Sequence, residues 1–212
     1  PLLPLIDPDE TDLAVRLETP FNARHWLGTD ELGRDLLSRL LWGTRVSLAV
    51  GFAATFAAAL IGSTIGLVSG YFGGRIDSLL MRLIDTIWAF PYLLLALAIV
   101  AAFGPGLLNA LMAIAIVNIP FFARTVRGTT ITLTNREFVM AARTSGAGHL
   151  DILFRELLPN VLPVIVVTIS TTAGWMILET AGLSFLGLGA QPPTADLGSM
   201  LGEGRKVPVS YT

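Results

Sequence analysis

Long apolar blocks, separated by short charged islands, constrain this chain more than any other feature of its sequence. Between residues 46 and 100 only four residues are charged, and all four fall in one short stretch: Arg75, Asp77, Arg82 and Asp85. Hydrophobic residues make up 53% of the 212 residues. Charged residues make up 14%, against about 25% in a typical soluble domain. This distribution predicts an all-α, polytopic integral membrane protein built as a bundle of spanning helices.

The composition also excludes several classes of function. A net charge of −2 provides no basic surface for nucleic acid, so no nucleic-acid partner is expected. The absence of cysteine removes disulfides, thiolate zinc sites and cysteine nucleophiles. His25 and His149 lie far apart without metal-ligand spacing, and neither lies in an apolar block. We therefore expect no catalytic residue, no metal and no cofactor in this chain, and a membrane-embedded hydrolase is disfavoured.

Four membrane spans are predicted, and they divide the chain into three parts. The external N-terminal segment is 1–45, the transmembrane domain is 46–190, and an external tail, 191–212, stops before a final helix. The first span is about 36 Å long at 1.5 Å per residue, and Pro91 is expected to kink the second. The spans cover about 46–69, 79–103, 107–123 and 157–178, and a polar loop, 124–156, follows the third.

Two helical patterns stand out at the start of the membrane domain. Leucines recur at helical spacing within 29–42, which predicts a short amphipathic helix capped by Thr29 or Asp30. Small residues then repeat every four positions along the first span, which predicts close packing against another helix backbone. These small residues are Ala54, Ala58, Gly62, Gly66 and Gly70.

The distribution of arginine predicts the orientation in the membrane. Five arginines lie within 124–155, whereas the 104–106 turn has none, so 124–156 and the 71–78 turn are placed in the cytoplasm. Residues 1–42 and 190–212 then face outside. Arg34, Arg39 and Arg45 oppose this assignment, but acidic residues outnumber basic ones across 1–45.

The cytoplasmic loop contains the most informative motif. It reads Arg136-Glu137-Phe138-Val139-Met140-Ala141-Ala142-Arg143-Thr144-Ser145-Gly146-Ala147-Gly148, followed by Leu158-Pro159-Asn160. Thr134 or Asn135 can cap a short helix that ends near Gly146, and the alanine pair gives it a low-profile surface. Such a helix has no evident core of its own. We expect it to fill a groove on a soluble partner.

This motif resembles the ATPase-coupling loop of ABC importer permeases, in which an alanine pair is followed by glycine and then Leu-Pro. Two further segments, 27–39 (LGTDELGRDLLSR) and 179–194 (ETAGLSFLGLGAQPPT), resemble the peptide and nickel branch of that family. The resemblance covers residues 25 to about 205 in one register. Within the branch the chain is similar to the C-type permease of dipeptide and oligopeptide importers.

The resemblance implies a type I ABC importer permease fold with a cytoplasmic coupling helix, and a helix before Pro1 and another after Thr212. Two positions depart from the family pattern, since Met140 replaces an acidic residue and Glu156 an apolar one. The implied ATPase-coupling residues are Arg136, Glu137, Met140, Ala141, Ala142, Arg143, Gly146 and Ala147.

The family also implies a set of partners and a location. These are a second permease subunit, two cytoplasmic ATPases that bind ATP and Mg, an external solute-binding protein, and the lipid of the bacterial inner membrane. The chain would itself be a transport subunit and no enzyme, since it has no Gly-x-x-x-x-Gly-Lys-Ser/Thr loop. Peptides and nickel or metal chelates are both substrates of the branch. An ATP-independent secondary transporter or channel is the rival, but it needs ionisable groups along several spans, and only Glu179 qualifies.

Individual charged residues have a functional and a structural interpretation. Glu179, with Ser184 and Phe185, is a pore or gate candidate, although an ion pair or hydrogen bond that packs the helix explains Glu179 as well. Asp30, Arg34 and Asp35 are candidates for external contacts to the binding protein, and capping or local pairing explains them nearly as well. Arg82 and Asp85, three residues apart, are expected to pair structurally.

Overall fold

The structure is a computed structural model that describes residues 5–205, and within that range it contains helices and no β-strand. An isolated bridge joins Thr29 and Asp35. The all-α prediction is confirmed. After a 3-10 turn at Leu13–Val15 come seven helices: α1 (Leu36–Phe72), α2 (Gly74–Trp88), α3 (Tyr92–Phe103), α4 (Leu107–Thr134), α5 (Glu137–Thr144), α6 (His149–Phe185) and α7 (Leu197–Gly204).

Helix α1 contains residues 36–42 of the predicted amphipathic helix, 29–42, together with the predicted first span. The part of that prediction that covers 29–35 is wrong, since these residues are not helical. Helix α1 begins at Leu36 rather than at Thr29 or Asp30, because the chain turns sharply just before it. Gly33 has φ +75, and a Cβ there would lie 1.8 Å from the carbonyl oxygen of Asp12. The cap is Asp35, whose Oδ2 accepts from the backbone N–H of Ser38 at 2.8 Å.

The second predicted span, 79–103, is broken in the structure. Helices α2 and α3 meet at an angle of 87° across a short break that contains Pro91. Proline has no N–H to donate and its ring clashes with the preceding turn, so the helix cannot pass through it without bending. Within residues 5–205, three helices are long and apolar enough to cross a membrane, or four if this bent pair counts as one span. The three are α1, α4 and α6.

Helices α4 and α6 extend beyond their predicted spans toward the segment that joins them. Helix α4 continues to Thr134, with Pro120 inside it, and α6 begins at His149, eight residues before its predicted span. Residues 152–157 of α6 form a π-helical stretch that buries Ile152, Leu153 and Leu157. The predicted loop 124–156 is therefore mostly helical, and only short turns separate α4, α5 and α6.

The described chain divides into two compact units. The first unit comprises residues 5–52, 97–111 and 177–205. In this unit Asp196 is fully buried and caps α7 by accepting from the N–H groups of Gly198 and Ser199. Its other carboxylate oxygen accepts from Ser47 Oγ of α1 at 2.6 Å. The predicted polar tail thus contains a helix that is bonded to the start of the membrane domain.

The second unit, residues 53–96 and 112–176, is built on contact between α1 and α4. A Cβ at Gly62 would lie 2.6 Å from the carbonyl oxygen of Ile119, and one at Gly66 would lie 2.4 Å from that of Ala123. Only glycine permits this approach of two backbones. The predicted small-residue packing stripe is confirmed, and its alanines, Ala54 and Ala58, are fully buried.

Candidate functional site

Helix α5 is the predicted coupling helix, and it forms where the sequence places it. Glu137 lies in its first turn and Arg143 in its last, so both charges complement the helix dipole. The predicted cap is wrong, because helix α5 starts after Arg136. Thr134 Oγ1 and Asn135 Nδ2 instead bond the carbonyl oxygens of Thr130 and Ile131 at the end of α4.

The end of α5 is a left-handed turn at Gly146, as predicted. Gly146 has φ +82, and the N–H of Ala147 donates to the carbonyl oxygen of Ala142 at 3.0 Å. No atom lies within 4 Å of the position of a Cβ at Gly146. Glycine is needed there for the backbone conformation, while the space around it is open to a partner.

Helix α5 has a buried face, which the sequence analysis did not foresee. Val139 is fully buried in a cluster of apolar residues from α1, α4 and α6, and Phe138, Ala142 and Ala147 are partly buried against it. The other members of this cluster, called here the anchor cluster, are Leu67, Tyr71, Val126, Ile152, Leu153, Leu157 and Val161.

The predicted coupling residues therefore divide between two faces. Ala142 and Ala147 are partly buried, and they pack against the anchor cluster. The others are exposed, and the Met140 side chain protrudes with 51% of its surface accessible. The exposed set is Arg136, Glu137, Met140, Ala141, Arg143 and Gly146. This face presents an apolar centre between charged side chains.

A group of aromatic and polar side chains connects the ends of three helices beside α5. Tyr71, in the last turn of α1, is hydrogen-bonded through its hydroxyl to His149 Nδ1 at 2.8 Å. The guanidinium carbon of Arg143 lies 5.4 Å from the Tyr71 ring centroid, within cation–π range. One end of α5 is thus linked to both α1 and α6.

Two ion pairs join α2 to α4. Arg127 binds both carboxylate oxygens of Asp77, at 2.6 and 2.5 Å, and Ser69 Oγ donates to the same carboxylate. Arg124 bonds Asp85 at 2.5 Å and lies 3.8 Å from the centroid of the Trp88 ring. The predicted Arg82–Asp85 pair is wrong, because Asp85 bonds Arg124 on the neighbouring helix.

The external-contact candidates lie within the first unit, where they bond one another and nearby groups. Asp35 is 5% exposed, caps α1 and bonds His25 Nδ1 at 3.0 Å. Arg34 is also buried, and it bonds Asp30 at 2.6 Å and Glu203 of α7 at 3.0 Å. Arg34 and Asp35 are buried, and capping and local pairing account for the bonds that they and Asp30 make.

The pore candidates occupy different environments. Ser184 is buried, and its Oγ lies 1.8 Å from the position of a Cβ at Gly189. Phe185 is half-buried, and the guanidinium carbon of Arg205 lies 5.6 Å from its ring centroid. Glu179 is half-buried within α6 and interacts with neighbouring groups.

Comparison with known proteins identifies close relatives of this chain. Residues 62–210 match the family described as "Binding-protein-dependent transport system inner membrane component". The chain is 48% identical over 206 residues to the dipeptide transport system permease protein DppC of Alkalihalophilus pseudofirmus, covering 97% of this chain and 67% of the relative. It is 48% identical over 190 residues to the glutathione transport system permease protein GsiD of Pectobacterium atrosepticum, covering 90% and 63%.

A third relative and two solved structures agree with these matches. The chain is 44% identical over 205 residues to the probable D,D-dipeptide transport system permease protein DdpC of Escherichia coli, covering 97% and 68%. Its fold is similar to the MetNI methionine ABC transporter, with TM-score 0.66, 20% identity and coverage of 80% and 82%. An amino acid ABC transporter aligns with TM-score 0.61, 21% identity and coverage of 82% and 81%. The chain spans about two thirds of the lengths of these three relatives.

Proposed function

This chain belongs to the family of binding-protein-dependent transport system inner membrane components, and from that membership we propose that it is a permease subunit of an ATP-driven importer. The proposed substrates are dipeptides and short oligopeptides delivered by an external binding protein. Sequence relatives named for dipeptide and glutathione transport support a peptide substrate over a metal chelate.

The observation that carries this proposal is the two-faced structure of α5. Val139 and its neighbours hold one face in the anchor cluster, which is shared with α1, α4 and α6. The other face presents Met140 between Glu137 and Arg143, suited to a groove on a cytoplasmic ATPase. A displacement imposed on the exposed face would pass to three membrane helices through tightly packed side chains.

The remaining parts of the proposal concern partners and orientation. ATP and Mg would bind the partner ATPase, and ATP binding and hydrolysis there would move α5. A second permease subunit would complete the translocation pathway in the bacterial inner membrane. In this orientation α5 faces the cytoplasm and residues 5–35 face outside, which follows from the five arginines within 124–155 and the absence of arginine from the 104–106 turn.

Single cysteines provide a direct test, because the chain has none of its own. Cysteine at position 140 (Met140→Cys) should crosslink to the cytoplasmic ATPase in membranes that carry the whole importer. Glu10→Cys, exposed on the proposed external segment, is the matched control and should not crosslink. In intact spheroplasts a membrane-impermeant thiol reagent should label position 10 and spare position 140. The reverse labelling, or a crosslink from position 10 alone, would refute the proposal.

A further inference from the structure

A loop with two exposed aromatic side chains lies in the first unit, just before α1. It comprises residues 17–30 and is called here the aromatic loop. The N–H of Leu17 donates to the carbonyl oxygen of Asp30 at 3.2 Å, and the N–H of Phe21 donates to that of Trp26 at 3.0 Å. These bonds hold the two sides of the loop together. Its tip, 21–27, carries Phe21, which is 95% exposed, and Trp26, which is 70% exposed.

The base of the aromatic loop is tightly held. Thr29 is fully buried, and its Oγ1 accepts from the N–H of Glu18 at 2.8 Å and donates to the carbonyl oxygen of Val15. A Cβ at Gly28 would lie 2.3 Å from the carbonyl oxygen of Glu18, so only glycine fits there. The carbonyl oxygen of Gly28 accepts from the N–H of Leu36 at 3.1 Å. The loop is therefore fixed to the first turn of a helix that is long and apolar enough to cross a membrane.

The backbone at Phe21 is strained. Its φ of +69 lies in the left-handed region, which glycine and asparagine adopt readily and a bulky side chain adopts only at a cost. The Phe21 side chain contacts almost nothing in the chain, so packing does not offset this cost. A strained residue with an outward-facing ring indicates a contact outside the chain.

The exposed charge at the tip is positive. Arg24 is exposed, whereas His25 is buried, with its Nδ1 3.0 Å from Asp35 Oδ1. The sequence has no acidic residue from 19 to 27. Acids are concentrated instead in the chain before the tip, at Asp7, Asp9, Glu10, Asp12 and Glu18. Aromatic rings beside an arginine suit the surface of a membrane with anionic phospholipids.

We propose that the tip of the aromatic loop lies in the headgroup region of the membrane, on the side where α1 begins. Phe21 and Trp26 would lie among the lipid headgroups, and Arg24 would bind lipid phosphates. This contact would fix the depth at which α1 enters the bilayer. The inference requires only that α1 spans the membrane, and it does not rest on the transport of peptides.

The reach of the loop agrees with this placement. Trp42, with the guanidinium carbon of Arg45 5.4 Å from its ring centroid, is the kind of residue that marks a membrane interface. It lies about 9 Å along α1 from Leu36. Trp26 is two residues from Gly28, which bonds Leu36, and two extended residues span about 7 Å. Trp26 can therefore enter a headgroup layer that is about 5–8 Å thick.

A protein partner is the alternative, because tryptophan and arginine are also frequent at the centres of protein interfaces. The attachment of the loop to a membrane helix favours lipid. The same helix exposes Leu40 and Leu41 within its first two turns, and both are 42% exposed. Apolar side chains at the start of α1 suit immersion at the same membrane surface.

The test measures contact between the loop and lipid in the full-length permease. Ala23→Cys, at the exposed tip, is labelled with the fluorophore NBD, and Glu10→Cys, exposed on the same N-terminal segment, is the matched control. Each protein is placed in liposomes of phosphatidylethanolamine and phosphatidylglycerol that contain a lipid with a nitroxide on its headgroup. The nitroxide should quench the fluorophore at position 23 and not that at position 10. Equal quenching at both positions, or none at position 23, would overturn the proposal.

Two substitutions separate lipid contact from folding. Phe21→Asn removes the ring and relieves the strained backbone. Quenching at position 23 should fall about tenfold, while the unfolding temperature in detergent stays level or rises. Arg24→Gln should abolish any extra quenching that these liposomes show over liposomes of phosphatidylcholine alone. Leu13→Asn is the control, an apolar residue that is 69% exposed outside the loop, and it should leave quenching unchanged.

The remaining outcomes distinguish this inference from its alternatives. Undiminished quenching in Phe21→Asn would overturn it, and so would a lower unfolding temperature, which would show that Phe21 packs within the chain. An NBD emission that shifts only when the external binding protein or the second permease subunit is added, without quenching by lipid, would make the tip a protein contact and would also overturn it. An intact crosslink from Met140→Cys together with an unquenched position 23 would refute the lipid contact alone and leave the proposed function standing.

Discussion

Arg127 on α4 binds both carboxylate oxygens of Asp77 on α2, through Nε at 2.6 Å and Nη2 at 2.5 Å. Fifty residues separate the two in sequence, and Ser69 of α1 donates to the same carboxylate. One acid therefore connects three helices of the second unit. A bidentate pair of this kind fixes orientation as well as distance, because the planar guanidinium matches the carboxylate.

Replacing Asp77 with asparagine should destabilise the protein by about 1–3 kcal/mol, because a partly buried guanidinium loses its partner. The side chains of Asp77 and Arg127 are 18% and 33% exposed, so solvent screens part of the loss. Asp85→Asn is the matched control, since its pair with Arg124 is 56% and 46% exposed and should cost about 0–1 kcal/mol. Thermal unfolding of both variants in the same detergent measures the two losses of stability. Equal losses would contradict the conclusion that the Asp77–Arg127 pair stabilises the protein more than the Asp85–Arg124 pair.

Val139→Ala should loosen α5 from the anchor cluster. Removing two buried methyl groups should cost about 1–3 kcal/mol and should uncouple ATP hydrolysis from uptake. Met140→Ala, one residue along on the exposed face, should leave thermal stability unchanged while weakening attachment of the ATPase. The unfolding temperature should therefore fall in Val139→Ala and not in Met140→Ala, whereas the amount of ATPase that co-purifies should fall in Met140→Ala. If both quantities changed in the same way in the two variants, α5 would not have two distinct faces.

Gly66→Leu should disrupt the α1–α4 contact, because a Cβ at this position would lie 2.4 Å from the carbonyl oxygen of Ala123. The expected outcome is little folded protein at purification. Gly174→Ala is the control, a helical glycine of α6 with no atom within 4 Å of the added Cβ. It should be neutral or stabilising by up to about 1 kcal/mol, since alanine favours the helix. Wild-type yield for Gly66→Leu would refute the close contact.

Gly146→Asp and Gly146→Val should impair coupling, whereas Gly146→Asn should largely preserve it. The left-handed backbone at φ +82 costs a β-branched residue about 1–2 kcal/mol and is tolerated by asparagine. Aspartate tolerates the backbone but adds a negative charge at the proposed partner surface. Uptake per ATP hydrolysed, measured in proteoliposomes, distinguishes the three. Full coupling in the aspartate and valine variants would count against docking at this turn.

Glu179→Gln should change uptake kinetics, by roughly tenfold, while assembly stays intact, because an acid is retained inside a membrane helix only where it meets protein or water. Asp151→Asn, exposed near the start of the same helix, is the control and should leave the kinetics unchanged. Initial rates of peptide uptake and the yield of assembled complex provide the two readouts. Unchanged rates in Glu179→Gln would assign it to helix packing.

The features that the sequence predicts well are those that repeat along one helix. The glycine and alanine stripe of α1 follows a four-residue period, and its role in packing can be predicted without knowing which helix it contacts. The short helix at 137–144 follows from charges that suit its two ends and from a glycine after it. Its inward face also has a local signal, since Phe138 and Val139 lie four and three residues before Ala142.

Contacts between distant segments are what sequence patterns miss. Arg82 and Asp85 have helical spacing and read as a pair, but Asp85 bonds Arg124, 39 residues away. The sequence offered Thr29 or Asp30 as the cap of α1, whereas the observed cap is Asp35, which follows a turn at Gly33 that lies close against the backbone of Asp12. Arg34 bonds Glu203, which lies 169 residues later in the sequence. The periodicity of residues along one helix cannot predict a contact between segments so far apart in sequence.

The backbone contact between α1 and α4 also restricts how the protein can move. A slide of one residue would bring Ile61 or Ser63 to the position of Gly62, where a Cβ would already lie 2.6 Å from a carbonyl oxygen. Residues 62–70 and 119–130 are therefore fixed in register and move together as one rigid pair of helical segments. A conformational change has to bend the chain at some other place, and the break at Pro91, between α2 and α3, is such a place.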